Sequence, residues 1–109
     1  MIGSKMLLRV CACDDLQSGE MTTFTGYREP IAVYRVGDEF YATADLCTHG
    51  KSSLSEEGEL DGYEIECGWH FGRFDIRTGD VKAMPCTQPL KTYPVTIQDG
   101  AVFVEVEEG

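Results

Sequence analysis

Histidine is scarce in this chain, which has two, His49 and His70. A mononuclear iron site of two histidines and a carboxylate would consume both, so a chain that uses them elsewhere lacks that catalytic centre. Basic residues are also few: 9 Lys plus Arg stand against 19 Asp plus Glu, a formal net charge of −10. Nucleic acid and anionic membrane are therefore excluded as natural partners, and encounters are steered instead toward basic patches on other proteins, more weakly as salt rises. No window approaches the roughly 18 apolar residues of a membrane span. Near the start, the apolar residues Met6, Leu7, Leu8 and Val10 fall short of the roughly 7–15 of a secretory core. The chain therefore reads as cytoplasmic, with Met1 to Lys5, ahead of the second methionine Met6, as either a dispensable leader or a cloning remnant. In that compartment thiols stay reduced, so five cysteines point to metal ligation or ordinary burial before disulfides.

Helical periodicity is missing as well. Only Asp14 to Glu20 suits a short helical turn, and no repeat, linker or low-complexity segment stands out. What the chain has instead is period-two alternation in short runs separated by turn residues, which predicts a mostly β domain. Ile31 to Arg35 and Glu39 to Thr43 flank Val36-Gly37-Asp38 as a hairpin. Glu64 to Cys67 alternates, as does Thr92 to Ile97, and Asp99-Gly100 joins the latter to Ala101 to Val106 as a last hairpin. Pro94 lacks a ladder donor, which places its strand at an edge or turns that position outward. With 109 residues, the chain fits a single domain spanning 1–109. Folding should bury roughly 60–70% of the unfolded surface, enough for one modest core and better suited to a carrier or binding module than to an enzyme with a deep pocket.

Chemistry concentrates in the glycine-rich interruption from Cys47 to Phe74. Each histidine follows a cysteine closely, in Cys47-x-His49 and Cys67-x-x-His70. A structural zinc site normally pairs Cys with Cys and His with His, whereas both half-sites here are mixed. Mixed half-sites suit a two-iron cluster with two thiolates on one iron and two imidazoles on the other, because each of two loops then gives one ligand to each iron. Gly50 to Glu66 is long enough to leave the first loop, turn near Asp61-Gly62 and return on a strand ending at Cys67. Gly50, Gly68 and Gly72 sit beside the ligands, where a residue without Cβ lets backbone N–H groups approach bridging sulfides, or simply serves a turn.

Cys47-Thr48-His49-Gly50 and Cys67-Gly68-Trp69-His70-Phe71-Gly72-Arg73-Phe74-Asp75 resemble the two boxes of Rieske proteins. Thr78-Gly79, Pro85-Cys86-Thr87-Gln88 and Lys91 to Val95 are similar to the ferredoxin components of bacterial aromatic-ring-hydroxylating dioxygenases. The resemblance implies an all-β, antiparallel β-sandwich with a small cluster-binding subdomain of two loops at its tip, at about 45–86. It also implies one [2Fe–2S] cluster on Cys47, His49, Cys67 and His70, and a proline loop, Met84-Pro85-Cys86, covering the cluster from the side.

The respiratory-chain branch carries two further cysteines, matching Ser52 and Trp69 here, and a serine and a tyrosine, matching Gly72 and Phe74. No loop disulfide forms between such positions, and fewer sulfur-directed donors imply the low end of the Rieske range, near about −150 mV rather than +300 mV. The implied role is single-electron transfer from a nicotinamide-dependent, flavin-containing reductase to the Rieske centre of a terminal oxygenase, both transient partners, with no small-molecule substrate of its own. A Rieske-like small subunit of a nitrite reductase or another oxidoreductase is the rival, and a zinc-stabilised β interaction module a remote one.

Cys11, Cys13 and Cys86 read as small buried or half-exposed hydrophobes. Trp69 and Phe71 either pack beneath the second loop or shield the cluster, whereas an exposed Trp69 would offer a docking anchor. Glu56, Glu57, Glu59, Asp61, Glu64 and Glu66 form either an acidic collar around the docking face or a solvated hairpin.

Overall fold

The computed structural model describes residues 4–47, 53–68, 72–84 and 88–107. In chain order its strands are β1 (Lys5–Ala12), β2 (Met21–Phe24), β3 (Ile31–Val36), β4 (Glu39–Ala44), β5 (Glu59–Asp61) and β6 (Glu64–Glu66). They continue as β7 (Arg73–Asp75), β8 (Val81–Ala83), β9 (Thr92–Tyr93), β10 (Val95–Gln98) and β11 (Ala101–Glu107). All pairings are antiparallel, in three sheets ordered β1-β11-β10, β2-β3-β4-β9 and β5-β6-β7-β8.

The strand β3 holds the layers together. Ile31, Ala32, Val33 and Tyr34 are all fully buried, because both faces of the strand are covered. Ile31 and Val33 pack with Leu16, Val102, Val104 and Val106 in the core between the first two sheets. Ala32 and Tyr34 face the other way and join Leu54, Ile65, Phe74 and Ile76 under the third sheet. Burying the Tyr34 phenol is tolerable because its hydroxyl bonds to Thr43 Oγ1 at 2.8 Å, and burial pushes its pKa far up.

Proline breaks the expected single strand over Thr92 to Ile97 in two. Tyr93 in β9 pairs with Ala42 of β4, while Val95 in β10 pairs with Val104 of β11, so the chain changes sheets at Pro94. The missing N–H ends the ladder there, both pieces lie at sheet edges, and the Pro94 carbonyl accepts the Glu105 N–H at 2.9 Å. The β3–β4 turn uses Gly37 at φ +62° and the β10–β11 turn uses Asp99 and Gly100 at φ +50° and +75°, as tight hairpins require.

Among the described residues helix is confined to two short pieces. The turn expected between Asp14 and Glu20 begins one residue earlier, as a 3-10 turn at Cys13–Asp15, with the Asp15 carboxylate accepting the Ala12 N–H at 2.9 Å. A one-turn helix, α1 (Leu54–Glu57), lies where no helical period was visible. Four residues are too few to show one, and its signal is the N-cap: Ser53 Oγ accepts the Glu56 N–H at 3.3 Å. Among the described residues no helix is long and apolar enough to cross a membrane.

Candidate functional site

Both candidate thiols lie where a strand gives way to a loop. Cys47 follows the end of β4 and Cys67 the end of β6; they are 3% and 0% exposed and share one core with Leu54, Ile65 and Phe74. The structure thus brings together the two cysteines that the sequence pairs with histidines. His49 and Gly50, and Trp69, His70 and Phe71, lie outside the described residues, as do Pro85 and Cys86 of the expected lid.

The bases of the two loops are described, and each is closed by hydrogen bonds. In the first, Asp45 is buried two residues before Cys47. One carboxylate oxygen accepts the Ser55 N–H at 2.9 Å and the Ser55 hydroxyl at 2.6 Å; the other accepts the Ser53 hydroxyl at 2.5 Å. Its backbone carbonyl accepts the Leu54 N–H at 2.7 Å, and its own N–H donates to the Pro30 carbonyl at 3.1 Å. A bridge between Leu46 and Ser53 completes the closure. Ser55 Oγ also meets Thr23 Oγ1, tying α1 to β2. In the second loop, the Cys67 N–H donates to the buried Gly72 carbonyl at 2.7 Å.

Glycines let these two bases pack backbone to backbone. A Cβ on Gly68 would collide with the carbonyl of Glu57, the last residue of α1. A Cβ on Gly58 would lie 2.5 Å from the Glu66 carbonyl and 2.7 Å from the Leu54 carbonyl. Gly68 therefore has a steric reason to be glycine within the chain itself, and Gly58 is its counterpart from the other loop. Asp45, Ser53 and Ser55 carry no spacing that singles them out as site residues; Ser53-x-x-Glu56, a serine placed three residues before a glutamate, was the available signal.

The carboxylates between the boxes divide into two groups. Asp61, Glu64 and Glu66 converge on Arg73, at 3.2, 3.5 and 3.1 Å, on the outer face of the β5-β6-β7 ladder. Glu56, Glu57 and Glu59 are solvent-exposed on α1 and β5. An arginine thus balances part of the acidic group, and the guanidinium pKa rises because of those contacts.

A second polar joint ties this sheet to the β3–β4 hairpin. Buried Asp75 accepts from the Arg77 N–H at 2.8 Å and from its guanidinium at 2.9 and 3.1 Å, which holds the Asp75 carboxyl below the usual carboxylate range. Arg77 stacks over the Tyr63 ring at 4.2 Å, and the Tyr63 hydroxyl donates to Glu39 at 3.0 Å. Two apolar side chains flank the boxes in the open: Leu46 beside Cys47 is 43% exposed, and Met84, just past the Ala83–Arg73 pair, is 80% exposed. Cys11 and Cys13 are half-buried free thiols packed against the sandwich core, as expected of small hydrophobes.

The chain that carries these two loops matches a known family. Residues 6–94 match the model of the Rieske [2Fe-2S] domain, and the chain belongs to that family. It is 53% identical over 103 residues to the ferredoxin component of the p-cumate 2,3-dioxygenase system of Pseudomonas putida, covering 92% of this chain and 86% of that one. It is 47% identical to ferredoxin CarAc of Metapseudomonas resinovorans, covering 96% and 98%. Among solved structures, a chain in the complex of reduced oxygenase and oxidized ferredoxin of carbazole 1,9a-dioxygenase superposes with a TM-score of 0.84 at 50% identity, covering 90% of this chain and 91% of that one.

Proposed function

We propose that this chain is the electron-carrying ferredoxin component of an aromatic-ring dioxygenase system, a carrier and not a catalyst. The observation that carries the reading is the pair of buried thiols, Cys47 and Cys67, at adjoining loop bases in a chain of the Rieske family. Cys47 and Cys67 would hold one iron of a [2Fe–2S] cluster, and His49 and His70 the other, an assignment supported by the mixed half-sites. When bound, the cluster supplies a centre that takes up and gives back one electron. The chain's own contribution is to hold the thiolates away from water and to fix the loops that carry the imidazoles.

The electron passes to a terminal oxygenase, as the relatives' roles and the oxygenase–ferredoxin complex indicate. It comes, in this reading, from a flavin-containing reductase that draws on a nicotinamide cofactor, and the exchange takes place in the cytoplasm. Exposed Leu46 and Met84 beside the boxes offer apolar contact, and the surplus of acid offers charge attraction; weak contacts of this kind suit a carrier that must leave each partner after one electron. The whole chain, 1–109, would then form one Rieske domain, with its cluster-binding subdomain at about 45–86.

Iron and acid-labile sulfide analysis of anaerobically purified protein tests the centre, together with an EPR spectrum of the dithionite-reduced form. Two irons and two sulfides per chain are expected by the cluster stoichiometry. Colourless protein holding one zinc would overturn the reading. A His70→Cys variant adds negative charge to the donor set and should lower the reduction potential; an unchanged potential with an intact cluster refutes His70 as a ligand.

A further inference from the structure

We infer that Asp45 is a positioning residue for the first ligand loop, a buried clasp that fixes how Cys47 and His49 meet the cluster. The inference rests on those two residues being ligands. Asp45 is 2% exposed, and a buried carboxylate persists only where donors replace its water. Three donors do so, and all come from the far side of the loop: the Ser53 hydroxyl at 2.5 Å, the Ser55 hydroxyl at 2.6 Å and the Ser55 N–H at 2.9 Å. The Asp45 carbonyl adds a fourth bond across the same gap, to the Leu54 N–H at 2.7 Å. The segment that leaves at Leu46 and returns at Ser53 therefore has both ends held by one residue, itself anchored to the Pro30 carbonyl.

The clasp also sets the neighbouring loop. Ser53 and Ser55 belong to the cap and first turn of α1, and the last carbonyl of α1 rests against Gly68, next to Cys67. Releasing Asp45 thus loosens one ligand loop directly and the seat of the other through α1. Groups that orient ligands in this way affect metal retention by about 10–100-fold when removed.

Charge and geometry are separable at this position. An asparagine can accept both Ser55 donors on its amide oxygen and present its NH₂ to Ser53 Oγ, since a hydroxyl can accept as well as donate. Asp45→Asn therefore removes the charge and keeps the clasp, whereas Asp45→Ala removes both. The experiment compares full-length, cluster-loaded wild type, Asp45→Ala and Asp45→Asn by the EPR line shape of the reduced centre and by the rate of iron loss to a chelator. Expected are a broadened, shifted spectrum and about 10-fold or faster iron loss in Asp45→Ala, with Asp45→Asn close to wild type.

Identical spectra and loss rates in Asp45→Ala and wild type overturn the inference. Equal changes in Asp45→Ala and Asp45→Asn overturn it too, because charge alone then accounts for them. If Asp45→Ala does not fold, Ser53→Ala/Ser55→Ala decides: faster loss supports the clasp and wild-type behaviour refutes it. Wild type without iron and sulfide would instead remove the ligand reading on which the clasp depends.

Discussion

Gly68→Ala isolates the contact between the two ligand loops. Gly68 has no positive φ, so its backbone accepts an L side chain without strain, and the whole effect comes from what the new methyl meets. It meets the Glu57 carbonyl: a Cβ at this position would lie 2.9 Å from the carbonyl carbon and closer still to its oxygen. Both partners are backbone, so no rotamer change relieves the collision. Restoring ordinary separation requires α1 and the Cys67–Gly68 segment to part by on the order of 1 Å. Overpacking of this kind costs about 1–3 kcal/mol. At about 2.1 cal/mol/K of unfolding entropy per residue, the chain should lose roughly 4–13 °C in Tm.

The assay is thermal unfolding of cluster-loaded protein followed by circular dichroism and by the cluster's visible absorbance, with EPR of the reduced form. Gly37→Ala is the control. Gly37 has φ +62°, and a Cβ there would meet nothing within 4 Å, so its substitution adds backbone strain in the β3–β4 turn and should leave the EPR spectrum unchanged. Gly68→Ala should change both stability and spectrum. A Gly68→Ala protein within about 1 °C of wild type, with the same spectrum, would refute the claim that the loops are seated on each other through this glycine.

Three further substitutions probe the frame around the site. Arg73→Met leaves Asp61, Glu64 and Glu66 facing one another without their shared cation, so the urea midpoint should fall at low ionic strength and recover toward wild type in 1 M salt, a gap independent of salt counting against the ion-pair account. Arg77→Ala removes the group that holds the Asp75 carboxyl low. A depressed native pKa contributes stability that is complete above the unfolded carboxylate value of about 3.9 and lost as pH falls through the native one. Arg77→Ala should therefore be less stable than wild type at neutral pH, with the difference shrinking below about pH 4; a constant difference down to pH 2 would contradict it. The Tyr93 hydroxyl is buried without a hydrogen-bond partner among the described residues, and burial pushes its pKa up to about 12. Tyr93→Phe should stabilise the protein by about 1 kcal/mol in a urea titration, and a loss of that size would mean that the hydroxyl is satisfied.

The strands were legible because β structure writes itself into sequence at short range. The hairpin at Gly37-Asp38, the turn at Asp61-Gly62 and the last hairpin at Asp99-Gly100 each combine alternation with a turn residue, and each lies where that combination places it. Two features resisted such reading for opposite reasons. The burial of β3 on both faces depends on a third sheet formed nearly thirty residues downstream, whose Ile65 and Phe74 cover Ala32 and Tyr34, a pairing that local alternation does not show. The split at Pro94 was half legible: proline marked an edge, but which sheet each half joins is decided by partners at Ala42 and Val104.

At the site, the Cys-His pairs were visible because metal chemistry fixes residue types at fixed spacing, whereas what holds the loops was not. Asp45, Ser53 and Ser55 are ordinary polar residues, and only the burial of Asp45 and their mutual distances give them a task. The same holds for Gly58 and Gly68, whose missing side chains matter because each faces the other loop's backbone. These supports share one property: they act on backbone or on short side chains, with little freedom to rearrange. A centre that gains and loses one electron changes its charge by one unit in a buried setting, and a loop free to follow that charge would move with every transfer. With the first loop closed at Asp45, the second at Cys67–Gly72, and α1 seated on Gly68, a cluster held as proposed would sit in a frame that an added electron has little means to deform.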